Sequence, residues 1–456
     1  MASALQEYFD TLRNKKVFVI GMGVSNMPLI QKMLDAKLDI TACDKRQREA
    51  FGGLVEELET RGLSVCLGED YLDHLDGADV IFRTPGMRHD LPQLVRAVEQ
   101  GAMLTSEMEA FFQLCPCSIL AVTGSDGKTT TTTIIAGLLK EAGYRTFVGG
   151  NIGRPLLCDV DDMYPDDMVV LELSSFQLLT MKQSPTIAVV TNLSPNHLDV
   201  HKDMEEYVKA KMNIFLHQES EDKLILNADN EITASFIKQA RGEVVTFGHK
   251  NGANVTMDGK MITYNGRPIL NADDIQVPGV HNQENYMAAI AAVDGLVPDE
   301  VIRTFAKKFF GVAHRIELVR ELDGVRYYND SIASSPSRTI AGLSSFHQKV
   351  ILIAGGYDKH IPYDALGPCI TRTVKYLILT GDTADKIRAA TEMAPEYSLD
   401  NPVIVMCEDL CSAVKAAHSA AHPGDVVILS PASASFDRFK NFEERGNAFK
   451  ALVMAL

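Results

Sequence analysis

Apolar residues fall mostly in short unbroken runs, each closed by a glycine, proline or serine turn and followed by a stretch with helical spacing. A short apolar run without alternation marks a strand buried on both faces. Strands alternating with helices predict parallel sheets covered by helices, so the expected fold class is α/β. Three blocks repeat the pattern. The first predicts strands at residues 17–20, 39–43 and 78–82, with a helix at 26–34 after Gly21-Met22-Gly23. The second predicts strands at 119–122, 168–173, 187–191 and 223–227, and a helix at 130–141 that Gly143 stops. Residues 243–278 alternate more finely between glycine turns and read as a small β excursion, before a closing helix at 282–293. The third block predicts strands at 325–328, 350–354, 376–379, 403–406 and 426–429. Gly355-Gly356, Gly381 and Ser430-Pro431 lie just past strand ends, where open α/β sheets place their ligands.

A chain of 456 residues is too long for one ordinary core. The blocks divide it into three expected domains: a Rossmann-like domain at 1–110, a central P-loop α/β domain at 111–311 and a Rossmann-like domain at 312–456. The formal charge of −16 argues against nucleic acid or an anionic membrane as the main partner, since both call for a basic face. The opening MASALQEYFDTLRNKK lacks the apolar core of a signal peptide, and no later run is long enough to span a membrane. Eight scattered cysteines, none in C-x-x-C spacing, read as reduced thiols, so a cytoplasmic protein is expected.

The sharpest local signal is AVTGSDGKTTTTT, residues 121–133. A buried strand runs into a glycine turn and then a helix, which turns backbone N–H groups and a helix N-terminus toward an anion. Gly124, Ser125, Asp126, Gly127, Lys128, Thr129 and Thr130 form the expected phosphate cradle. Lys128 brings a point charge for the terminal phosphates and Thr129 a hydroxyl for Mg²⁺. Val122 stands where the full Walker spacing has glycine, so this is a shortened variant; the bland alternative is a capped strand-to-helix turn. Such a loop implies ATP or GTP and leaves the fate of the γ-phosphate open. Glu172 closes one strand of the same predicted sheet and His197 lies just past another, so both fall at its carboxyl edge, where all three signals can meet. Glu172 suits a hard cation, whereas His197 suits Mn²⁺ better than Mg²⁺. In the predicted helix 204–215, Lys211 shares an apolar face with Tyr207, Met212 and Phe215, while Lys209 points away. A snorkelling stem at the core margin would account for that lysine.

At this point the chain resembles the Mur ligase family almost end to end. VTGSDGKTTTT, GGNIGRPL, ELSSFQL, NHLDVH, the lysine-bearing helix, PGVHNQEN, HRIELV, NDSIASSP and LSPASASFDRFKNFEERG occur in the family's order. The resemblance implies an N-terminal domain for a UDP-sugar, a central ATPase domain and a C-terminal domain for the incoming amino acid. It implies ATP and two Mg²⁺ ions: Thr129 and Glu172 on the first, His197 on the second, and a carbamylated Lys211 as an anion near the metals, with Lys128, His197 and Lys211 as the catalytic set. Asn282, Asn285, Arg315 and Asp330 would contact the base and ribose of ATP. Gly23, Val24, Ser25, Asp44, Lys45, Arg46, Thr84, Pro85, Gly86 and Asn151 would face the UDP-substrate. GMGVSNMPL and the C-terminal motif resemble the branch that adds D-glutamate to UDP-N-acetylmuramoyl-L-alanine, with Ser334, Lys359, Ser435 and Phe442 on the amino acid. A monomer is expected. Three rivals stand beside this reading: a superfamily ligase for another amino acid, a non-catalytic nucleotide-binding regulator, and a dinucleotide-dependent oxidoreductase. The last is suggested by Gly21-Met22-Gly23 and Asp44, although Asn26 breaks the full glycine fingerprint.

Overall fold

A computed structural model describes residues 3–195, 200–250, 252–277, 279–359 and 361–456. Three sheets correspond to the three blocks. The first comprises β1 (Val17–Ile20), β2 (Ile40–Asp44), β3 (Ser64–Leu67), β4 (Val80–Phe82) and β5 (Met103–Thr105), all parallel, in the order β3-β2-β1-β4-β5. Helix Met27–Asp35 buries Leu29, Ile30 and Met33 in the same core as Val17, Val19 and Ile40, as its helical spacing requires.

The second sheet comprises β6 (Ser118–Thr123), β7 (Thr146–Gly150), β8 (Met168–Glu172), β9 (Ile187–Val190), β10 (Lys223–Asn227), β11 (Glu243–Phe247), β12 (Val255–Asp258), β13 (Met261–Tyr264) and β14 (Arg267–Asn271). Its order is β14-β13-β12-β11-β10-β9-β6-β8-β7, parallel from β7 through β12 and antiparallel over the last two pairs. The predicted β excursion is therefore an extension of the main sheet's edge. Val122 of β6 pairs with Glu172 of β8 and Val189 of β9, so the central strands end level with one another.

The third sheet comprises β15 (Glu317–Leu322), β16 (Val325–Asn329), β17 (Val350–Ala354), β18 (Val374–Leu379), β19 (Val403–Met406) and β20 (Val426–Leu429), in the order β15-β16-β20-β17-β18-β19. All its pairings are parallel except the β15–β16 hairpin.

The chain packs as two compact units. One, Met1–Ala272 with Glu284–Phe305, holds the first two sheets; the other, Asp273–Gln283 with Ala306–Leu456, holds the third. Among the described residues no helix is long and apolar enough to cross a membrane. All eight cysteines are free.

Three boundaries move in ways that matter for the site. The helix expected at 130–141 spans Lys128–Glu141, which puts Lys128 and Thr129 in its first turn. The strand expected at 39–43 spans Ile40–Asp44, so Asp44 closes it. The helix expected at 204–215 ends at Met212 and continues as turns through His217.

Candidate active site

The phosphate loop leaves β6 through two glycines whose geometry excludes a side chain. A Cβ on Gly124 would lie 1.9 Å from the Thr191 hydroxyl oxygen, and one on Gly127, at φ +77°, would lie 2.4 Å from Asn285 Oδ1. Asn285 thus rests on the loop, where it also accepts from the Thr131 hydroxyl at 3.2 Å. The loop is laced to the segment after β9. Ser125 N donates to the Asn192 carbonyl (2.8 Å), Asp126 N to Asn192 Oδ1 (3.0 Å), and Thr191 Oγ1 to the Asp126 carbonyl (2.6 Å). Ser125 Oγ donates to the Ser194 carbonyl and lies 2.9 Å from the Tyr207 hydroxyl. Lys128 Nζ folds over the turn onto the Ser125 carbonyl at 2.8 Å.

Glu172, the last residue of β8, is buried beside this loop. Its Oε2 accepts from Thr129 Oγ1 at 2.7 Å and its Oε1 from Asn151 Nδ2 at 2.8 Å. Lys211 comes in from helix Met204–Met212, whose N-cap Asp203 accepts from Glu206 N. Its amine donates to Thr123 Oγ1 at 3.0 Å and lies 5.0 Å from the centre of the Tyr207 ring. Only 1% of Lys211 is exposed, so the apolar face read from the helix is a buried face, and the lysine is no margin residue. Burial first, and then the Lys128 charge, push the amine well below the ordinary lysine range, with Glu172 opposing. Phosphate loop, Glu172, Asn151 and Lys211 are therefore brought together. His197 lies outside the described residues.

The carboxyl edge of the first sheet carries the residues expected on the UDP-substrate other than Asn151, which lies with Glu172 on the second. Gly21, at φ +91°, leaves room for Thr84, whose Cβ would meet an added methyl at 3.0 Å. Asp44 accepts from Met22 N at 2.8 Å and pairs through both oxygens with the Arg46 guanidinium, which also covers the Phe51 ring. Burial would raise the Asp44 carboxyl, but the hydrogen bonds from Arg46 and from the amides of Arg46 and Met22 hold it below the usual range. Val24 and Lys45 stand exposed at this edge, beside Gly23 and Ser25.

In the other unit, the loops carrying Ser334, Lys359 and Ser435 meet the helix Phe442–Met454 around Arg445. This buried guanidinium donates to Ser331 Oγ and O and to the Ala434 carbonyl, while Ser331 Oγ donates to the Phe442 carbonyl. Tyr357 N donates to the Ala434 carbonyl, and Lys359 Nζ lies 5.7 Å from the centre of the exposed Phe436 ring. Asn282 is buried, its amide 3.2 Å from His281 Nε2.

Asp330 accepts from Ser430 Oγ at 2.7 Å and from Ile316 N at 3.3 Å, and burial pushes its carboxyl up to about 7 despite Ser430, Arg315 and Arg338. The folded protein thus holds this proton more tightly than the unfolded chain. The stabilisation is complete below about pH 4 and is lost as the pH rises through about 7. From about pH 4 to about pH 7 the melting midpoint of wild type should therefore fall relative to that of Asp330→Asn, and the difference should level off above that. Parallel slopes for the two proteins would contradict this.

Several contacts were not anticipated from sequence: Thr123 under Lys211, Thr191 and Asn192 under the loop, Tyr207 on Ser125, and Arg445. Asp229, His249 and Glu284 also cluster, but the Asp229 oxygens already accept from the amides of His249 and Lys250.

Family models agree with this layout. The Mur ligase MurD-like N-terminal domain matches residues 15–106, the Mur ligase middle domain 122–293 and the Mur ligase glutamate ligase domain 314–433. A UDP-N-acetylmuramoylalanine--D-glutamate ligase of Acetivibrio thermocellus is 56% identical, with all of both chains covered. The chain belongs to the Mur ligase family. Mur ligases bearing the same name are 53% identical in Ruminiclostridium cellulolyticum and 50% identical in Clostridium novyi, each comparison covering 99% of both chains. Solved Mur ligases share the fold at low identity. The UDP-N-acetylmuramate-alanine ligase of Thermotoga maritima gives a TM-score of 0.59 at 20% identity, covering 97% of this chain and 100% of that one. A UDP-N-acetylmuramoyl-L-alanyl-D-glutamate--2,6-diaminopimelate ligase gives 0.55 at 18%, covering 92% and 87%. Membership in the Mur ligase family removes the oxidoreductase rival, and the three-domain α/β architecture is that of the family.

Proposed function

We propose that this Mur ligase joins the carboxylate of UDP-N-acetylmuramoyl-L-alanine to the amine of D-glutamate, with ATP converted to ADP and phosphate, as a cytoplasmic step in peptidoglycan precursor synthesis. The chemistry rests on one observation: the Glu172 carboxylate is bonded at once to Thr129 of the phosphate loop and to Asn151. The choice of substrates is supported by full-length relatives of that name at 56% and 53% identity.

In this reading the glycine turn and the N-terminus of helix Lys128–Glu141 receive the phosphates, and Lys128 offsets charge on the γ-phosphoryl group. Thr129 Oγ1 and Glu172 Oε2, 2.7 Å apart, form a hard-oxygen pair that fits Mg²⁺. When bound, the ion shields phosphate charge and favours in-line attack. A second ion, Mg²⁺ or Mn²⁺, would take His197 and a carbamylated Lys211. Asn151 orients the substrate carboxylate, one of whose oxygens attacks the γ-phosphorus as the bond to ADP breaks, giving an acyl phosphate. The D-glutamate amine then adds to the acyl carbon, His197 stabilises the oxyanion, and phosphate leaves as the amide forms. Ser334, Lys359, Ser435 and Phe442 hold D-glutamate, with the Lys359 ammonium matched to a carboxylate. Asn282, Asn285, Arg315 and Asp330 hold the adenosine, and Gly23 to Ser25, Asp44 to Arg46 and Thr84 to Gly86 hold the uridine diphosphate. Domains at 1–110, 111–311 and 312–456, acting as a monomer, belong to the same proposal.

Phosphate release from ATP and UDP-N-acetylmuramoyl-L-alanine tests it. D-glutamate should raise the rate over L-glutamate by about a hundredfold, because the wrong enantiomer leaves buried polar groups unpaired. Equal rates with both enantiomers, or with neither present, would remove the assignment.

A further inference from the structure

Residues 83–90 leave β4 and carry Thr84, Pro85 and Gly86 of the proposed UDP-substrate site. Two arginines on this short segment reach across to residues 176–180 and 200–206 of the same compact unit. Arg83 is 1% exposed, and its described hydrogen bonds go to carbonyls and one hydroxyl. Nη1 donates to the carbonyls of Pro85 (3.1 Å) and Met87 (2.7 Å), so the loop curls round it. Nη2 donates to the Phe176 carbonyl (3.3 Å) and to Thr180 Oγ1 (2.9 Å), on the stretch that follows Glu172.

Arg88 grips Glu206 with both terminal nitrogens (2.8 and 2.9 Å) and also donates to the Val200 carbonyl (2.8 Å). Its Nε bonds Asp90, which also pairs with Lys202 at 2.9 Å. Glu206 lies on helix Met204–Met212, the helix that carries Lys211. His201 closes the ring of contacts: it stacks on Phe176 at 5.2 Å and 5°, bonds Ser175 Oγ through Nε2 at 2.8 Å, and brings Nδ1 to 3.4 Å from Glu206. Arg83, Phe176, His201, Glu206 and Arg88 thus form a circuit linking the loop, the short helix Ser175–Leu178 that follows Glu172, and the helix bearing Lys211.

A buried guanidinium is a costly way to fill space, and an apolar side chain of similar volume would pack at lower cost. Its planar fork can, however, hold acceptors on two elements in one register, which an apolar side chain cannot do. We propose that Arg83 and Arg88 are positioning residues: they make residues 83–90 a strap that sets the reacting carboxylate of the sugar nucleotide in register with the γ-phosphate. This rests on the function proposed above. The carboxylate oxygen and the phosphorus must approach to about 3–3.5 Å, and a displacement of about 1 Å costs about a hundredfold in rate. Neither arginine touches the reacting atoms in this scheme.

The test uses the full-length enzyme and the variants Arg88→Gln, Arg88→Lys, Glu206→Gln and Arg83→Lys. Each substrate is varied in turn in the phosphate-release assay, and melting is followed alongside. Arg88→Gln and Glu206→Gln should each lower kcat by about 10- to 30-fold, with KM for ATP and for D-glutamate within about twofold of wild type. Arg88→Lys should regain most of the loss. The double variant should lose no more than either single one, since both break the same pair. Should Arg83→Lys fail to fold, the Arg88–Glu206 variants decide the matter. An unchanged kcat with only a lower melting midpoint overturns the strap, as does an equal rise in all three KM values. A wild-type enzyme that releases no phosphate with this substrate would sink the functional reading and the strap with it; an active wild type beside unimpaired variants would sink the strap alone.

Discussion

Lys128→Ala should lower phosphate release by about a thousandfold at saturating ATP while leaving the fold intact. The ammonium sits in the first helical turn, 2.8 Å from the Ser125 carbonyl, beside the backbone amides of the helix N-terminus. Those amides can seat phosphates without Lys128, but they carry only partial charges. The charge that moves as the γ-phosphoryl group transfers needs a full cation placed beforehand, and one lost preorganised donor costs about a hundred- to a thousandfold. The effect should appear in kcat far more than in the KM for ATP. Lys128→Arg should rescue poorly, because the guanidinium fork is wider than a point ammonium and the turn is closed by Asn285 and Thr191. Stability should change little, since alanine is the better helix former and the side chain is only half-buried. Activity within tenfold of wild type, measured by single-turnover release of labelled phosphate, would remove Lys128 from the site.

What could be read from the chain beforehand followed a physical rule. Strands buried on both faces announce themselves as unbroken apolar runs, and β1, β17 and β20 were placed to the residue. Strand β15, ELVREL, was missed because its antiparallel edge position leaves it half solvated and lets charges alternate with leucine and valine. Strand β7 was missed because TFVGG ends in two glycines that resemble a turn, yet Gly150 belongs there: a Cβ would lie 2.2 Å from the Glu172 carbonyl oxygen. The phosphate loop and Glu172 were legible because strand, glycines and strand end fix their location without knowledge of any partner. Lys211 was legible as a puzzle, since a cation in an apolar helical stripe contradicts its surroundings. Arg83, Arg88 and Glu206 gave no such signal. A charged residue in a loop or on a helix reads as solvated, and only the pairing across 118 residues between Arg88 and Glu206 makes it otherwise. Thr123 and Thr191 were hidden for a similar reason, because their hydroxyls matter through what the fold lays beside them. The amino-acid loops came from resemblance alone, and the burial of Arg445 among them had no local mark.

Lys211→Ala should also cost about a thousandfold in rate, and a small carboxylate should restore part of it. The argument starts from burial. A buried ammonium, near the Lys128 cation and over the Tyr207 ring, is driven toward its neutral form. A neutral amine in contact with dissolved CO₂ can add to its carbon, giving a carbamate anion and releasing a proton. That reaction turns the side chain into an anion close to Glu172, where cations are proposed to bind. Enzyme freed of CO₂ should lose activity and regain it on adding bicarbonate. The requirement should steepen as the pH falls, because protonation of the amine competes with carbamate formation. In Lys211→Ala the deleted stem leaves a hole that acetate or propionate can fill, supplying the anion without the covalent link; acetamide, equal in size but neutral, should not rescue. The contrast between acetate and acetamide separates a role for negative charge from mere packing. Full activity of Lys211→Ala, or a variant deaf to every carboxylate in an enzyme indifferent to CO₂, would leave Lys211 as a buried amine held by Thr123 and nothing more.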